Sequence, residues 1–159
     1  MSRARQENGQ LKQIAPDIHN AVPALSQLAG KAGLDKQLLE LVKIRASQIN
    51  GCAFCVQYHI LEAERIGVGV DKLDLVVVWR DAPQFSRRER AALAWTEALT
   101  QLGGGVGDEV YAEASAEFSE AELAYLTSAV AVINVWNRYG VAYRWTPPVR
   151  QKPASAAAS

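Results

Sequence analysis

Leu39-Glu40-Leu41-Val42-Lys43-Ile44-Arg45-Ala46-Ser47-Gln48-Ile49-Asn50-Gly51-Cys52-Ala53-Phe54-Cys55-Val56-Gln57-Tyr58-His59 is the stretch on which the fold turns. Leu38, Val42, Ala46 and Ile49 make an apolar stripe at helical spacing, Asn50-Gly51 interrupts it, and Tyr58, Leu61, Ala63 and Ile66 resume it beyond the break. Two helices joined by a tight turn follow, with Glu40 on the first and Cys52, Cys55 and His59 on the second. The two cysteines and the histidine stand at i, i+3 and i+7, so they share one face, and Cys55 and His59 are i, i+4 neighbours.

Outward from this pair the same period continues and no alternating strand pattern competes with it. Ser86 with Glu89 and Ser119 with Glu122 fit the S-x-x-E capping box ahead of apolar-periodic runs. Breaks fall at Gly33, Gly67-Val68-Gly69, Ala82-Pro83 and Gly103-Gly104-Gly105. The pattern predicts an all-α bundle of about six or seven helices near 17–31, 35–50, 52–66, 71–80, 87–102, 108–117 and 120–143. In 71–80, Leu75-Val76-Val77-Val78-Trp79 also has strand propensity, and helix is preferred for want of a partner strand. Pro23 marks a start or a kink in the first helix. No internal repeat is evident.

The domain organisation expected is a flexible segment 1–14, one helical domain over 15–147 and a Pro/Ala/Ser-rich tail 148–159. A chain of 159 residues, 49% hydrophobic, can bury one core. Lys+Arg and Asp+Glu number 17 each, leaving no basic excess for nucleic acid or anionic lipid. The polar start has no apolar h-region, and no run approaches the roughly 18 apolar residues of a membrane span. The expectation is a cytoplasmic protein. Two cysteines three positions apart make no disulfide framework, so pairing between them would serve chemistry rather than stability.

Glu40 lies ten residues before the break, roughly 15 Å along a helix, and His59 seven residues past Cys52, roughly 10 Å. Antiparallel packing brings carboxylate and imidazole to similar heights, giving a carboxylate–imidazole–thiol relay. The cysteines fall in the first turn of their helix, where unpaired N–H groups favour a thiolate, and His59 supplies a proton acceptor near neutral pH. Such a thiolate can attack a peroxide O–O bond, leaving a sulfenic acid that the second thiol condenses into a disulfide, which an external dithiol resets. Neighbourhood to His59 favours Cys55 as the attacking sulfur and Cys52 as the resolving one. The opposite assignment stays open, since Cys52 is nearer the helix start. A zinc site built from the two cysteines, His59 and Glu40, or two inert core thiols, are the competing readings.

The pattern E-x11-C-x-x-C-x3-H over residues 39–59 resembles the core of the alkylhydroperoxidase AhpD and carboxymuconolactone decarboxylase superfamily, in its peroxidase branch. Ile133-Asn134-Val135-Trp136-Asn137-Arg138 resembles a segment near the family's C-terminus. The resemblance implies an AhpD-like helical bundle, assembly into trimers or hexamers, and thiol-dependent reduction of hydrogen peroxide and organic hydroperoxides. It implies a sulfenic acid at Cys55, a resolving thiol at Cys52 and a relay through His59 and Glu40. It implies no cofactor beyond a redox-active Cys52–Cys55 disulfide, no metal, and a dithiol reductant such as a lipoyl or thioredoxin-like protein. Two departures stand out: Phe54 replaces a histidine found between the cysteines of the best-known members, and one core copy is present where those have two.

The superfamily also suggests a lyase using His59 and Glu40 as acid and base on a lactone acid. A non-catalytic redox- or metal-sensing oligomer is the third reading. Elsewhere, His19 reads as a surface or capping histidine, and Trp136, Tyr139, Tyr143 and Trp145 as core or subunit interface. Arg138 reads as an ion-pair partner at an interface. Asn134 and Asn137 read as satisfiers of backbone or cross-subunit hydrogen bonds. Lys43 and Arg45 lie on different faces, so at most one serves the dithiol. Arg87, Arg88 and Arg90 read as a solvated helix start, and Gly103-Gly104-Gly105 as a break without a phosphate-loop lysine.

Overall fold

The computed structural model describes residues 3–150, excepting the side chains of residues 29 and 31, and is all-helical. Its α-helices are α1 (Asn8–Ile14), α2 (Pro16–Lys31), α3 (Lys36–Ile49), α4 (Ala53–Arg65), α5 (Val70–Leu75), α6 (Arg87–Thr100), α7 (Asp108–Glu117) and α8 (Glu120–Tyr143), with 3-10 turns at Val76–Val78 and Leu102–Gly104. Among the described residues no helix is long and apolar enough to cross a membrane.

α3 is the axis of the bundle. Asp35 caps it by accepting the Leu38 N–H at 2.9 Å. Leu38, Leu39, Leu41, Val42, Ile44 and Ala46 are all buried, because α4, α6 and α8 pack around it. Leu38, Leu39 and Val42 join a cluster with Trp95, Phe118 and Leu126. Leu41 and Ile44 face the other way, onto Val76, Trp79, Phe85 and Leu93. A third, smaller cluster holds Ala46, both cysteines and Ile133. Both anticipated capping boxes are formed, at Ser86/Glu89 and Ser119/Glu122, so α6 and α8 begin where the sequence signals them.

One expectation needs correction and two are refined. Residues 8–14, expected within a flexible segment, form α1: Glu7 and Gln10 make a reciprocal capping box, Leu11 is buried, and the Arg5 N–H donates to the Tyr143 carbonyl at 2.9 Å. One buried leucine and a cap anchor a stretch whose polarity hid them, and α1 brings the count of α-helices to eight among the described residues. The 71–80 segment is a short α-helix running into a 3-10 turn. Leu73, Val76 and Trp79 are buried while Val77 and Val78 are exposed, a repeat of three that fits 3-10 geometry and excludes a strand's repeat of two. Pro23 neither starts nor ends α2, which begins at Pro16 and runs through it. Of the expected tail, residues 151–159 lie outside the described residues.

Candidate functional site

The site begins at the break. α3 ends at Asn50, and Gly51 takes φ +67°, a conformation open to glycine without strain. The chain then reverses into Cys52, which is the N-cap of α4; its sulfur accepts the Cys55 N–H at 3.3 Å. Cys52 and Cys55 are 1% and 3% exposed. Their sulfurs touch, with Cα atoms 5.3 Å apart, within the range that a disulfide spans.

Glu40 and His59 meet across the α3–α4 pair, as their distances from the break required. Nδ1 of His59 lies 2.7 Å from Oε2 of Glu40, whose other oxygen accepts Lys43 Nζ at 2.6 Å. Burial alone would raise the Glu40 carboxyl, but the hydrogen bond and charge of His59, joined by Lys43, outweigh it and hold the carboxyl below its ordinary value. An ionised carboxylate only accepts, so Nδ1 carries the proton of this hydrogen bond, and in the neutral ring Nε2 keeps the lone pair. Lys43 is thus the cation that joins the Glu40–His59 pair; Arg45 turns to Glu97 at 2.7 Å. Cys55 and His59 are one turn apart on α4, with no hydrogen bond between them among the described residues.

Of the cavities that border this arrangement, two separate the dithiol from the Glu40–His59 pair. One of about 340 Å³ is lined by Glu40, Lys43, Tyr58 and His59 together with Ile133 and Trp136. The other, about 800 Å³, lies at the N-terminal end of α4 and is lined by Cys52, Phe54, Gly140 and Trp145. Cys55 lines neither.

α8 and the residues just after it close the site, with one residue, Gly140, that the sequence did not single out. A Cβ on Gly140 would stand 2.5 Å from the Cys52 sulfur and 3.3 Å from that of Cys55. The detectable signal was a glycine in a helix interior, where it costs about 1 kcal/mol relative to alanine and so needs a packing reason. Trp145 covers Phe54 edge-on at 5.2 Å and stacks on Tyr139 at 6.3 Å. Of the C-terminal aromatics, Trp145 is buried, and Trp136, half-buried, packs against the cluster that holds both cysteines.

A polar network pins the break. Asn50 Nδ2 reaches Asn134 Oδ1 at 3.0 Å and Asn137 Oδ1 at 2.9 Å, and Asn137 Nδ2 donates to Ser47 Oγ at 2.9 Å. Asn134 also donates to the Val130 carbonyl, and Arg138 donates to the Asn134 carbonyl of its own helix. His19 sits edge-on to Trp136 at 6.0 Å, outside the relay. Among the described residues no three His, Cys, Asp or Glu side chains converge as a cation site.

Residues 16–98 match the model of the carboxymuconolactone decarboxylase family. The uncharacterised protein YdfG of Bacillus subtilis is 30% identical over 131 residues, covering 82% of this chain and 89% of its own. A solved structure from Agrobacterium tumefaciens, of unknown function and named as a candidate antioxidant defence protein AhpD, superposes with a TM-score of 0.86 at 36% identity. It covers 93% of this chain and all of its own. The debrominase Bmp8 shares the fold at a TM-score of 0.76 and 21% identity, over 84% of this chain and 72% of its own. The chain belongs to the carboxymuconolactone decarboxylase family, within the superfamily that includes AhpD.

Proposed function

We propose that this protein is a thiol-dependent peroxidase that reduces hydrogen peroxide and alkyl hydroperoxides through Cys55 and Cys52. The observation that carries the reading is the Glu40–His59 hydrogen bond, held on the same helix pair as the touching sulfurs. In the reduced protein, His59 Nε2 takes the Cys55 proton while Glu40 stabilises the imidazolium. The Cys55 thiolate attacks the terminal peroxide oxygen, the O–O bond breaks, and the alkoxide leaves as alcohol with the proton from His59. Cys52 then attacks the sulfenic sulfur, its thiol proton passes to the departing hydroxide, and water leaves as the disulfide forms. An external dithiol returns two electrons and two protons. Likeness to the Agrobacterium tumefaciens protein supports an antioxidant role. In keeping with its single core copy, the chain works as a homo-oligomer, a trimer or hexamer, in the cytoplasm.

Titration of free thiols before and after a small excess of cumene hydroperoxide tests this. Both thiols should disappear and return with dithiothreitol, and Cys55→Ser should abolish peroxide consumption. If both thiols stay free and the variant consumes peroxide at the wild-type rate, the reading is wrong.

One observation favours a second reading. The cavity lined by Glu40, Lys43 and His59 contains neither sulfur, which suits acid–base lyase chemistry on a lactone acid, with Lys43 near its carboxylate. Under that reading a Cys52→Ser/Cys55→Ser double variant keeps turnover of the lactone acid and His59→Gln loses it.

A further inference from the structure

The cavity of about 800 Å³ over Cys52 sets a cluster of cations and donors beside an apolar wall that includes Phe54, Val141 and Pro147. Arg3, Arg5 and Arg144 line it, against one lining acid, Glu7, whose oxygens are occupied by Thr146 at 2.7 and 3.3 Å. Arg5 spends one donor on the Ala142 carbonyl at 3.0 Å. Arg3 and Arg144 are exposed and make no ion pair among the described residues. Two further lining residues hold buried donors without an acceptor: Trp145 Nε1, on a side chain only 4% exposed, and Gln6 Nε2. Buried donors left unpaired are uncommon because each forfeits its hydration, so a wall carrying two of them beside three guanidiniums is short of an acceptor. The α4 N-terminus, capped by Cys52, adds positive potential at the same end.

The division of the two cavities says which reactant this acceptor belongs to. The relay of Glu40 and His59 opens onto the smaller cavity, whereas the large cationic one reaches the dithiol only through Cys52. We infer that the Cys52 cavity is the reductant's entrance, and that it selects a dithiol carrying a carboxylate, which the arginines and the unpaired donors of Gln6 and Trp145 receive. This rests on the dithiol cycle proposed above. A thiolate of the reductant attacks the Cys52 sulfur, the Cys52–Cys55 bond breaks, and its electron pair leaves on Cys55, which then binds a proton. The reductant's second thiol, losing its proton, attacks the sulfur joined to Cys52. Cys52 is expelled and protonated, and the reductant departs as its own disulfide. Electrons thus enter the dithiol through Cys52, the sulfur that lines the cationic cavity.

The test oxidises the protein with diamide, so that it does not depend on peroxide activity, and follows thiol recovery in stopped flow. Dihydrolipoate, which bears a carboxylate, is compared with dihydrolipoamide, which does not. Charge focusing of this kind raises association about tenfold or more, so dihydrolipoate should react about tenfold faster. The ratio should fall toward one in an Arg3→Gln/Arg144→Asn variant, asparagine being chosen because residue 144 has φ +56°. In the wild type, added KCl should lower the same ratio, which keeps the inference open to test if the variant folds poorly. Equal rates for the two reductants, or a ratio that neither salt nor the variant changes, would overturn it. So would a preference for anionic hydroperoxides lost in that variant, since the cavity would then be the peroxide's. Failure of diamide-oxidised protein to discriminate sinks the entrance alone; failure of cumene hydroperoxide to oxidise the thiols sinks the peroxidase.

Discussion

Gly140 on α8 leaves room for the Cys52 sulfur where any side chain would collide with it: an added Cβ falls 2.5 Å from Sγ. Gly140→Ala therefore sets two effects against each other. Alanine gains about 1 kcal/mol of helix propensity, while overpacking a rigid core site costs about 1–3 kcal/mol. The Cys52 sulfur lies against Cys55, so relieving the contact must move the dithiol or α8, and the variant should be less stable by up to about 2 kcal/mol. Urea denaturation checks this. Slower thiol–disulfide exchange should accompany it, because the dithiol must shift; a more stable variant with unchanged exchange would show that α8 is not packed against the sulfurs.

Asn137 is 1% exposed and bonds both Ser47 and Asn50. Asn137→Leu removes the shared partner of two side chains on the helix that leads into the dithiol. Ser47 keeps its bond to the Lys43 carbonyl and Asn50 its bond to the Ala46 carbonyl, so neither is wholly orphaned. The expected loss is about 1–3 kcal/mol, read from the urea midpoint at constant m-value. A neutral result would mean that apolar packing substitutes for the network.

Why Gly140 and the partners of Asn137 escaped the sequence reading, while the meeting of Glu40 and His59 did not, is a matter of what sequence spacing encodes. Glu40 and His59 are related through one helix break, so their heights on α3 and α4 follow from residue counts. The face shared by Cys52, Cys55 and His59 follows likewise from the period of α4. Gly140 and Asn137 act on α3 and α4 from α8, some ninety positions away, and only the docking of whole helices decides which of their faces meets the sulfurs. α1 was hidden for a different reason: its single buried residue, Leu11, is too little apolar signal to show a period. Helix ends carrying full capping boxes, α6 and α8, were legible because the signal is local and chemical.

Acid stability should report on Glu40. Its carboxyl lies below the ordinary value when folded, so the folded state gains stability above the unfolded carboxyl range, near pH 4.3. That stability drains away as pH falls through the depressed folded value. Glu97, lowered too where Trp79, Arg80 and Arg45 outweigh its burial, contributes in the same direction. Glu40→Gln should remove part of the acid limb and leave the remainder to Glu97 and to Glu122, which the Ser119 N–H and Arg88 also hold low, while lowering stability at pH 7. Parallel pH–stability curves for wild type and variant would rule out the depressed carboxyl.

The division of labour between the sulfurs can be read by trapping. Cys52 borders both the large cavity and a smaller one of about 400 Å³ beside Gln57, whereas Cys55 stands one turn from His59. If peroxide is attacked by Cys55, Cys52→Ser leaves a sulfenic acid with no resolving partner, so dimedone plus one equivalent of hydroperoxide should label Cys55 in the mass spectrum. Cys55→Ser should take up no label, because Cys52 lacks the neighbouring imidazole. Adding His59→Gln to the Cys52→Ser chain should then slow labelling by about 10²-fold, the low end of general-base contributions. Label on Cys52 in the Cys55→Ser chain, at a rate comparable to Cys55 in its counterpart, would exchange the two roles and bring peroxide in through the cationic cavity.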